Sequence, residues 1–217
     1  MRRSSSAFAA AFALSLAAHA DAQGGLFKDP EDDGARRFEA TAATVLRSQP
    51  SEDASALADV PLGAVLSNLG CRETAALWCE VRSFRGGPRG FVPASDLRPA
   101  KGPDGTVPTG LDDSDRRAKR GRFDARGEVP CAQERGEPMG LCRAGVARGT
   151  GGDATIIVTF PNGFARRLTF RNGEFVFADT TMSGNGTDID WQLTEGLHAI
   201  RVDDQRFDVP DTLIFGD

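Results

Sequence analysis

Short runs in which apolar and polar residues alternate recur along most of the chain, separated by Pro, Gly and Asp. Between residues 38 and 99 the runs are 43–46, 64–69, 77–82 and 90–93. Between residues 123 and 217 they are 154–160, 164–170, 174–178, 187–193, 197–202 and 205–209. Such alternation is typical of β-strands, and no window has the 3.6-residue apolar period of a long helix. The pattern predicts a mainly β protein with a small barrel at 38–99 and an antiparallel β-meander domain, a sandwich or an open barrel, at 123–217.

The turn between the runs 164–170 and 174–178 is the strongest local signal. It contains Asn172-Gly173, and both residue types tolerate the positive φ that a tight hairpin requires. Consecutive strands joined by such turns are expected to pair as a meander.

The first twenty residues have the order of a secretory signal. Two arginines near the start precede an apolar run at 7–18, and small residues then predict cleavage after Ala20 or Ala22. A membrane-spanning helix needs roughly 20 apolar residues, and neither this run nor any later stretch reaches that length. We therefore expect a signal peptide at 1–20 and a periplasmic or secreted protein with no membrane span after its removal.

Two segments are too polar to suggest a core of their own. Residues 21–37 are rich in Gly and Asp, which predicts a disordered leader. Residues 100–122 contain an acidic stretch followed by a basic one with almost no apolar content, which predicts a solvated linker between the two domains.

Four cysteines follow the predicted signal, at Cys71, Cys79, Cys131 and Cys142. An even number of cysteines in an exported chain favours disulfides over free thiols. Zinc is the competing interpretation, but it usually requires closer spacing than seven and ten intervening residues. Of the three possible pairings we expect Cys71–Cys79 and Cys131–Cys142, because each of these pairs lies within one predicted domain.

The balance of charge argues against a general binder of nucleic acid. The chain has 26 basic and 31 acidic side chains and a formal net charge of −5. Affinity for nucleic acid depends on cationic contacts to phosphate, so we predict no nucleic-acid partner.

Four landmarks between residues 38 and 99 follow one another in a characteristic order. They are VLRSQPS at 45–51, LGAVL at 62–66, WCEVR at 78–82, and GFV at 90–92 followed by Asp96-Leu97. In this order they resemble the bacterial SH3-like (SH3b) domain, with its opening strand, its L-x-x-G turn, its W-x-x-V strand and its closing G-W-V segment. The later part of the chain is similar to uncharacterised β-rich domains that follow such modules in secreted proteobacterial proteins.

The resemblance implies an SH3-like barrel and a non-enzymatic binding or adaptor role in the cell envelope. Its expected partner is peptidoglycan or an envelope protein or peptide, and no cofactor is implied. Large aromatic and arginine side chains supply much of the energy of small interfaces. We therefore expect the binding surface to include Trp78 and Phe91, with Arg82 and Arg89 nearby, although Trp78 packed as half-buried structure is the alternative.

The sequence predicts no catalytic residues. After the signal the chain has one histidine, His198, and no Gly-x-Ser-x-Gly sequence. Two other classes of function stay open: a structural or inhibitor-like protein, and a divergent carboxylate-dependent hydrolase in the C-terminal β domain, in which Asp179 and Asp190 would form a carboxylate pair. The oxygen side chains of Asn185, Asp188 and Asp190 suit Ca²⁺, but their segment has the composition of an ordinary hairpin loop, so we predict no metal site.

Overall fold

The computed structural model describes residues 25–84, 86–179 and 188–216, and the predicted signal peptide at 1–20 lies outside them. The described chain is mainly β and contains two antiparallel sheets, as the alternating pattern predicts. Within the same ranges, no helix has the length and apolar content needed to cross a lipid bilayer.

The first sheet comprises β1 (Arg37–Ala40), β2 (Thr44–Arg47), β3 (Ala56–Val60), β4 (Val65–Glu73), β5 (Leu77–Ser83), β6 (Arg89–Pro93) and β7 (Leu97–Pro99). Its strand order is β3-β2-β6-β5-β4-β1-β7. Short 3₁₀ turns precede β1 and β7, at Pro30–Asp32 and Ala94–Asp96.

The first sheet curls so that β2, the strand next to one end, approaches the start of β7 at the other end. The Thr44 hydroxyl at the start of β2 donates to the Asp96 carboxylate, just before β7, at 2.7 Å. The core inside this nearly closed barrel contains Phe38, Leu66, Val81 and Val92, each supplied by a different strand. Closure leaves few unpaired strand edges in a domain that is too small to bury a large core.

The second sheet comprises β8 (Ala125–Ala132), β9 (Gly140–Arg148), β10 (Ala154–Thr159), β11 (Ala165–Arg171), β12 (Glu174–Ala178), β13 (Ile189–Thr194), β14 (Leu197–Val202) and β15 (Gln205–Pro210). Its strand order is β12-β11-β10-β9-β8-β15-β14-β13, so β15 returns to pair with β8. Two short helices, α1 (Ser114–Lys119) and α2 (Asp211–Phe215), flank this sheet in the sequence.

The second sheet folds over its own core. The rings of Phe170 on β11 and His198 on β14 lie 5.1 Å apart, although four strands separate β11 from β14 in the sheet. In the same way Arg166 on β11 donates from Nε to the side-chain oxygen of Gln205 on β15 at 2.8 Å. Opposite halves of one curved sheet therefore enclose a single core.

Residues 25–37 do not form the disordered leader that their composition predicts. Phe27 stacks on Phe38 with ring centroids 4.9 Å apart, and Ala35 is completely buried. The side-chain amide of Asn68 donates to the carbonyls of Lys28 and Ala35 at 2.6 and 2.7 Å. A few apolar contacts and a buried asparagine thus fix a segment whose overall polarity suggests solvent.

Residues 100–122 are also packed, contrary to the expectation of a solvated tether. Thr109 forms a β-bridge with Ala35, and α1 buries Ser114 and Ala118. The acidic and basic stretches pair with each other across one helical turn, as in the 2.9 Å contact of Arg117 with Asp113. These oppositely charged side chains therefore pair with one another and support a short helix.

A buried carboxylate joins the two sheets. Asp153, in the turn before β10, accepts from Arg36 at 2.6 Å and from Arg37 at 2.7 Å, and its side chain is 1% exposed. The backbone N–H of Asn172 donates to the same carboxylate at 3.0 Å. The two domains therefore pack against each other through charged groups that are largely buried.

The backbone also approaches itself closely at this junction. A Cβ added to Gly102 would lie 2.4 Å from the backbone of Gly151, and Gly151 itself has a φ of +69°. A Cβ at Gly151 would lie 2.8 Å from the Arg37 guanidinium. Glycine is required at both positions because no side chain fits between the two segments.

Candidate binding groove

Three loops of the first sheet meet around Trp78 and enclose a groove of about 550 Å³. The first lies between β2 and β3, the second is the β4–β5 hairpin, and the third follows β6. The residues that line the groove are Pro50, Ser51, Glu52, Thr74, Ala75, Ala76, Leu77, Trp78, Pro93, Ala94 and Ser95. We call this set the Trp78 groove.

Strand alternation places Trp78 in the groove wall. Cys79 and Val81 of β5 point into the barrel core, so Trp78 and Glu80 occupy the opposite face. Trp78 is nevertheless only 4% exposed. Its ring is thus part of the domain's packing, and the surrounding loops supply most of the accessible groove surface.

Local contacts hold two of the three loops in place. The Arg47 guanidinium donates to the Ala54 carbonyl at 2.9 Å and closes the loop between β2 and β3. The predicted disulfide Cys71–Cys79 is present and ties β4 to β5 beside the hairpin turn. The Thr74 hydroxyl bonds to the Ala76 carbonyl at 3.0 Å within that turn. These two walls of the groove are therefore held in place by contacts within the protein itself.

The chemistry of the groove suits an extended chain with small apolar groups. Alanine, proline, leucine and tryptophan side chains supply its apolar lining, and Ser51, Thr74 and Ser95 add hydroxyl groups to that lining. Glu52 is the one ionisable residue among the lining residues. Among these lining residues there is no carboxylate pair.

Strand pairing places the four predicted binding residues on one face of β5 and β6, where Arg82 lies directly opposite Arg89. Phe91 is 8% exposed and lies under the Arg72 guanidinium, 4.8 Å from the ring centroid. Arg89 pairs at 2.7 Å with Glu80, which also pairs with Arg72 at 3.1 Å. These side chains form an ion cluster beside the Trp78 groove, outside its lining.

Arg82 lies farther along β5, in a cleft between the two sheets, where it is exposed. The predicted binding residues include Trp78 but none of the loop residues around it. Pro50 and Pro93 were available as turn signals, but nothing local indicates that their loops converge on one tryptophan.

His198 in the second sheet has both ring nitrogens engaged. Nδ1 accepts from the Trp191 indole N–H at 3.0 Å, so the proton of the neutral ring lies on Nε2 and faces Asp211 at 2.7 Å. The residue is completely buried. His198 is therefore a buried structural residue that joins β13 to the start of α2.

The two carboxylates considered for a hydrolase, Asp179 and Asp190, have different neighbours. Asp179 accepts from the Arg167 backbone N–H at 2.8 Å at the end of β12. Asp190 lies on β13 opposite Arg201, and within the described residues no side-chain contact joins it to Asp179. For the Ca²⁺ interpretation, Asn185 lies outside the described residues, and Asp188 pairs with Arg201 at 2.8 Å.

Comparison of the chain with family models, with curated proteins and with solved structures finds no match. The resemblance of residues 38–99 to bacterial SH3-like domains therefore rests on the four sequence landmarks. Those landmarks fall on β2, on the turn before β4, on β5, and on β6 with the start of β7.

Proposed function

We propose that this protein is a non-enzymatic binding module of the cell envelope that holds an extended peptide in the Trp78 groove. The peptide would be a segment of an envelope protein or the peptide part of peptidoglycan. The observation that carries the proposal is the convergence of three loops, two of them held by local contacts, on one tryptophan, with small apolar and hydroxyl groups lining the space between them.

The groove has the features of a peptide site in several respects. Its wall aromatic can pack against apolar side chains, while its hydroxyls can bond to the amides of an extended backbone. The landmark resemblance to SH3-like domains supports the same surface, because Trp78 begins the third landmark. The export-type N-terminus and the two disulfides, Cys71–Cys79 and Cys131–Cys142, support an oxidising compartment outside the cytoplasm.

The test must block the groove without removing a buried side chain. Replacing Trp78 would remove packing, so we choose Ala76→Arg, at an exposed position in the β4–β5 turn. The matched control is Ala165→Arg, at an exposed position on β11 of the second sheet. Both variants add the same charge and bulk, and thermal melts establish that both remain folded.

Two preparations distinguish the proposed occupants. Purified sacculi and a peptide digest of envelope proteins are each incubated with the parent protein and with both variants. We expect the parent and Ala165→Arg to bind one preparation and Ala76→Arg to bind at least about tenfold more weakly, because a bulky side chain would fill the groove. Binding to neither preparation, or equal binding by all three proteins, would remove the Trp78 groove from consideration.

A further inference from the structure

A second cavity of about 300 Å³ lies between the two sheets, away from the Trp78 groove. The first sheet contributes residues of β1, β4 and β5, and the second contributes the turn before β10 and the β11–β12 hairpin. The lining residues are Arg36, Arg37, Ser67, Arg82, Phe84, Asp112, Asp153, Arg171 and Val176. We call this cavity the arginine cleft.

The arginine cleft has more positive than negative charge. Four arginines and two aspartates line it, which gives a formal charge of +2. Asp153 is already bonded to Arg36 and Arg37, and Asp112 is bonded to Arg171 at 2.9 Å. Both carboxylates are thus already paired with arginines of the cleft.

Two guanidinium groups retain unused hydrogen-bonding capacity. The Arg37 side chain is 4% exposed, and its buried Nε has no hydrogen-bond acceptor among the described residues. Arg82 is exposed at the cleft and forms no ion pair with another described residue. A buried donor without an acceptor is unfavourable, and an anion in the cleft would remove that defect.

We propose that the arginine cleft binds a phosphate group, held by Arg82 and by the free Nε–H of Arg37. Planar guanidinium groups match the oxygen geometry of phosphate, and a dianion balances the formal charge of +2. The phosphate is either inorganic or part of a small phosphomonoester, since the same groups recognise both. This site does not depend on the function proposed for the Trp78 groove.

Calorimetry at constant ionic strength tests the proposal with two probes, inorganic phosphate and glycerol phosphate. We expect saturable binding of at least one probe by the parent. Arg82→Ala should raise the dissociation constant roughly tenfold or more, because a charge-assisted hydrogen bond is lost. The matched control is Arg135→Ala, whose side chain is 83% exposed and pairs only with Asp204 among the ion pairs of the described chain.

The relative affinities identify the source of the phosphate. Tighter binding of inorganic phosphate indicates the free ion, and tighter binding of glycerol phosphate indicates an ester. No saturable binding of either probe would overturn the proposal. Equal weakening by Arg82→Ala and Arg135→Ala would overturn it as well, since a general charge effect would then explain the binding.

A nuclear magnetic resonance readout locates the bound ion at the predicted donor. The Nε–H signal of Arg37 should shift on titration with the bound probe, because that hydrogen gains an acceptor. The Nε–H signal of Arg135 should stay unchanged. Binding without a shift at Arg37 would place the phosphate elsewhere and refute the site.

Discussion

Substituting Asp153 tests whether buried charge holds the two sheets together. Asp153→Asn keeps the size of the side chain but removes its negative charge. The two ion pairs that it would break measure 2.6 and 2.7 Å, and the carboxylate is 1% exposed. The change would leave Arg37, whose side chain is 4% exposed, with a buried positive charge and without the carboxylate that it contacts.

The size of the effect follows from that burial. Removing one partner of a buried ion pair costs about 3–5 kcal/mol, because the remaining charge stays away from water. Domains of this kind have total stabilities of about 5–15 kcal/mol. Asp153→Asn should therefore remove a large fraction of the free energy of unfolding, or separate the unfolding of the two sheets into two steps.

Urea denaturation followed by tryptophan fluorescence measures this effect. Trp78 lies in the first sheet and Trp191 in the second, so the signal reports on both. The matched control is Asp204→Asn, which breaks an exposed contact to Arg135 and should leave the unfolding midpoint unchanged. If Asp153→Asn and Asp204→Asn unfolded at the same midpoint, the buried ion network would not hold the sheets together.

Two further changes address acid stability and the groove. Burial alone would raise the pKa of Asp124, but hydrogen bonds from the Arg148 backbone N–H and from Arg117 lower it below its ordinary value. A lowered carboxyl pKa gives stability that is present above the unfolded pKa of about 3.9 and is lost as the pH falls through the folded pKa. Asp124→Asn should therefore lower the Tm at neutral pH and flatten its fall below about pH 4, and an unchanged acid limb of the Tm profile would contradict this. The double change Cys71→Ser with Cys79→Ser should cost about 2–3 kcal/mol in urea denaturation, because the closed loop is short; a variant as stable as the parent would show that the disulfide does not stabilise the hairpin.

Local sequence signals predicted much of the second sheet. Asn172 and Gly173 have φ values of 54° and 75°, as the hairpin prediction requires. The neighbouring strands β10, β11 and β12 lie within one residue of the predicted runs at 154–160, 164–170 and 174–178. Strand alternation and turn chemistry act over a few residues, so a single sequence displays them directly.

The junction between the sheets could not be predicted in this way. Arg37 and Asp153 are 116 positions apart, and each resembles a solvated surface charge in its own segment. Composition therefore indicated a leader and a linker where the chain is packed. Pairing between distant charges leaves no periodic trace in the sequence.

The candidate site shows the same limit at shorter range. Trp78 and Arg82 lie on one face of β5, which makes a shared surface a reasonable prediction from alternation. Loops of the first sheet surround Trp78, whereas Arg82 faces the second sheet. Alternation identifies the face of a strand but not what covers it.

The close approach of Gly102 and Gly151 has a consequence for how the two halves can be inherited. Gly102 follows the first sheet and Gly151 belongs to the second, and their backbones approach so closely that there is no room for one added methyl group. Recombination that joined either half to an unrelated neighbour would lose the matching glycine and the turn that carries it. We therefore expect the two halves to have been transmitted as one unit, with 100–122 evolving under the constraints of a structural core and not those of a spacer.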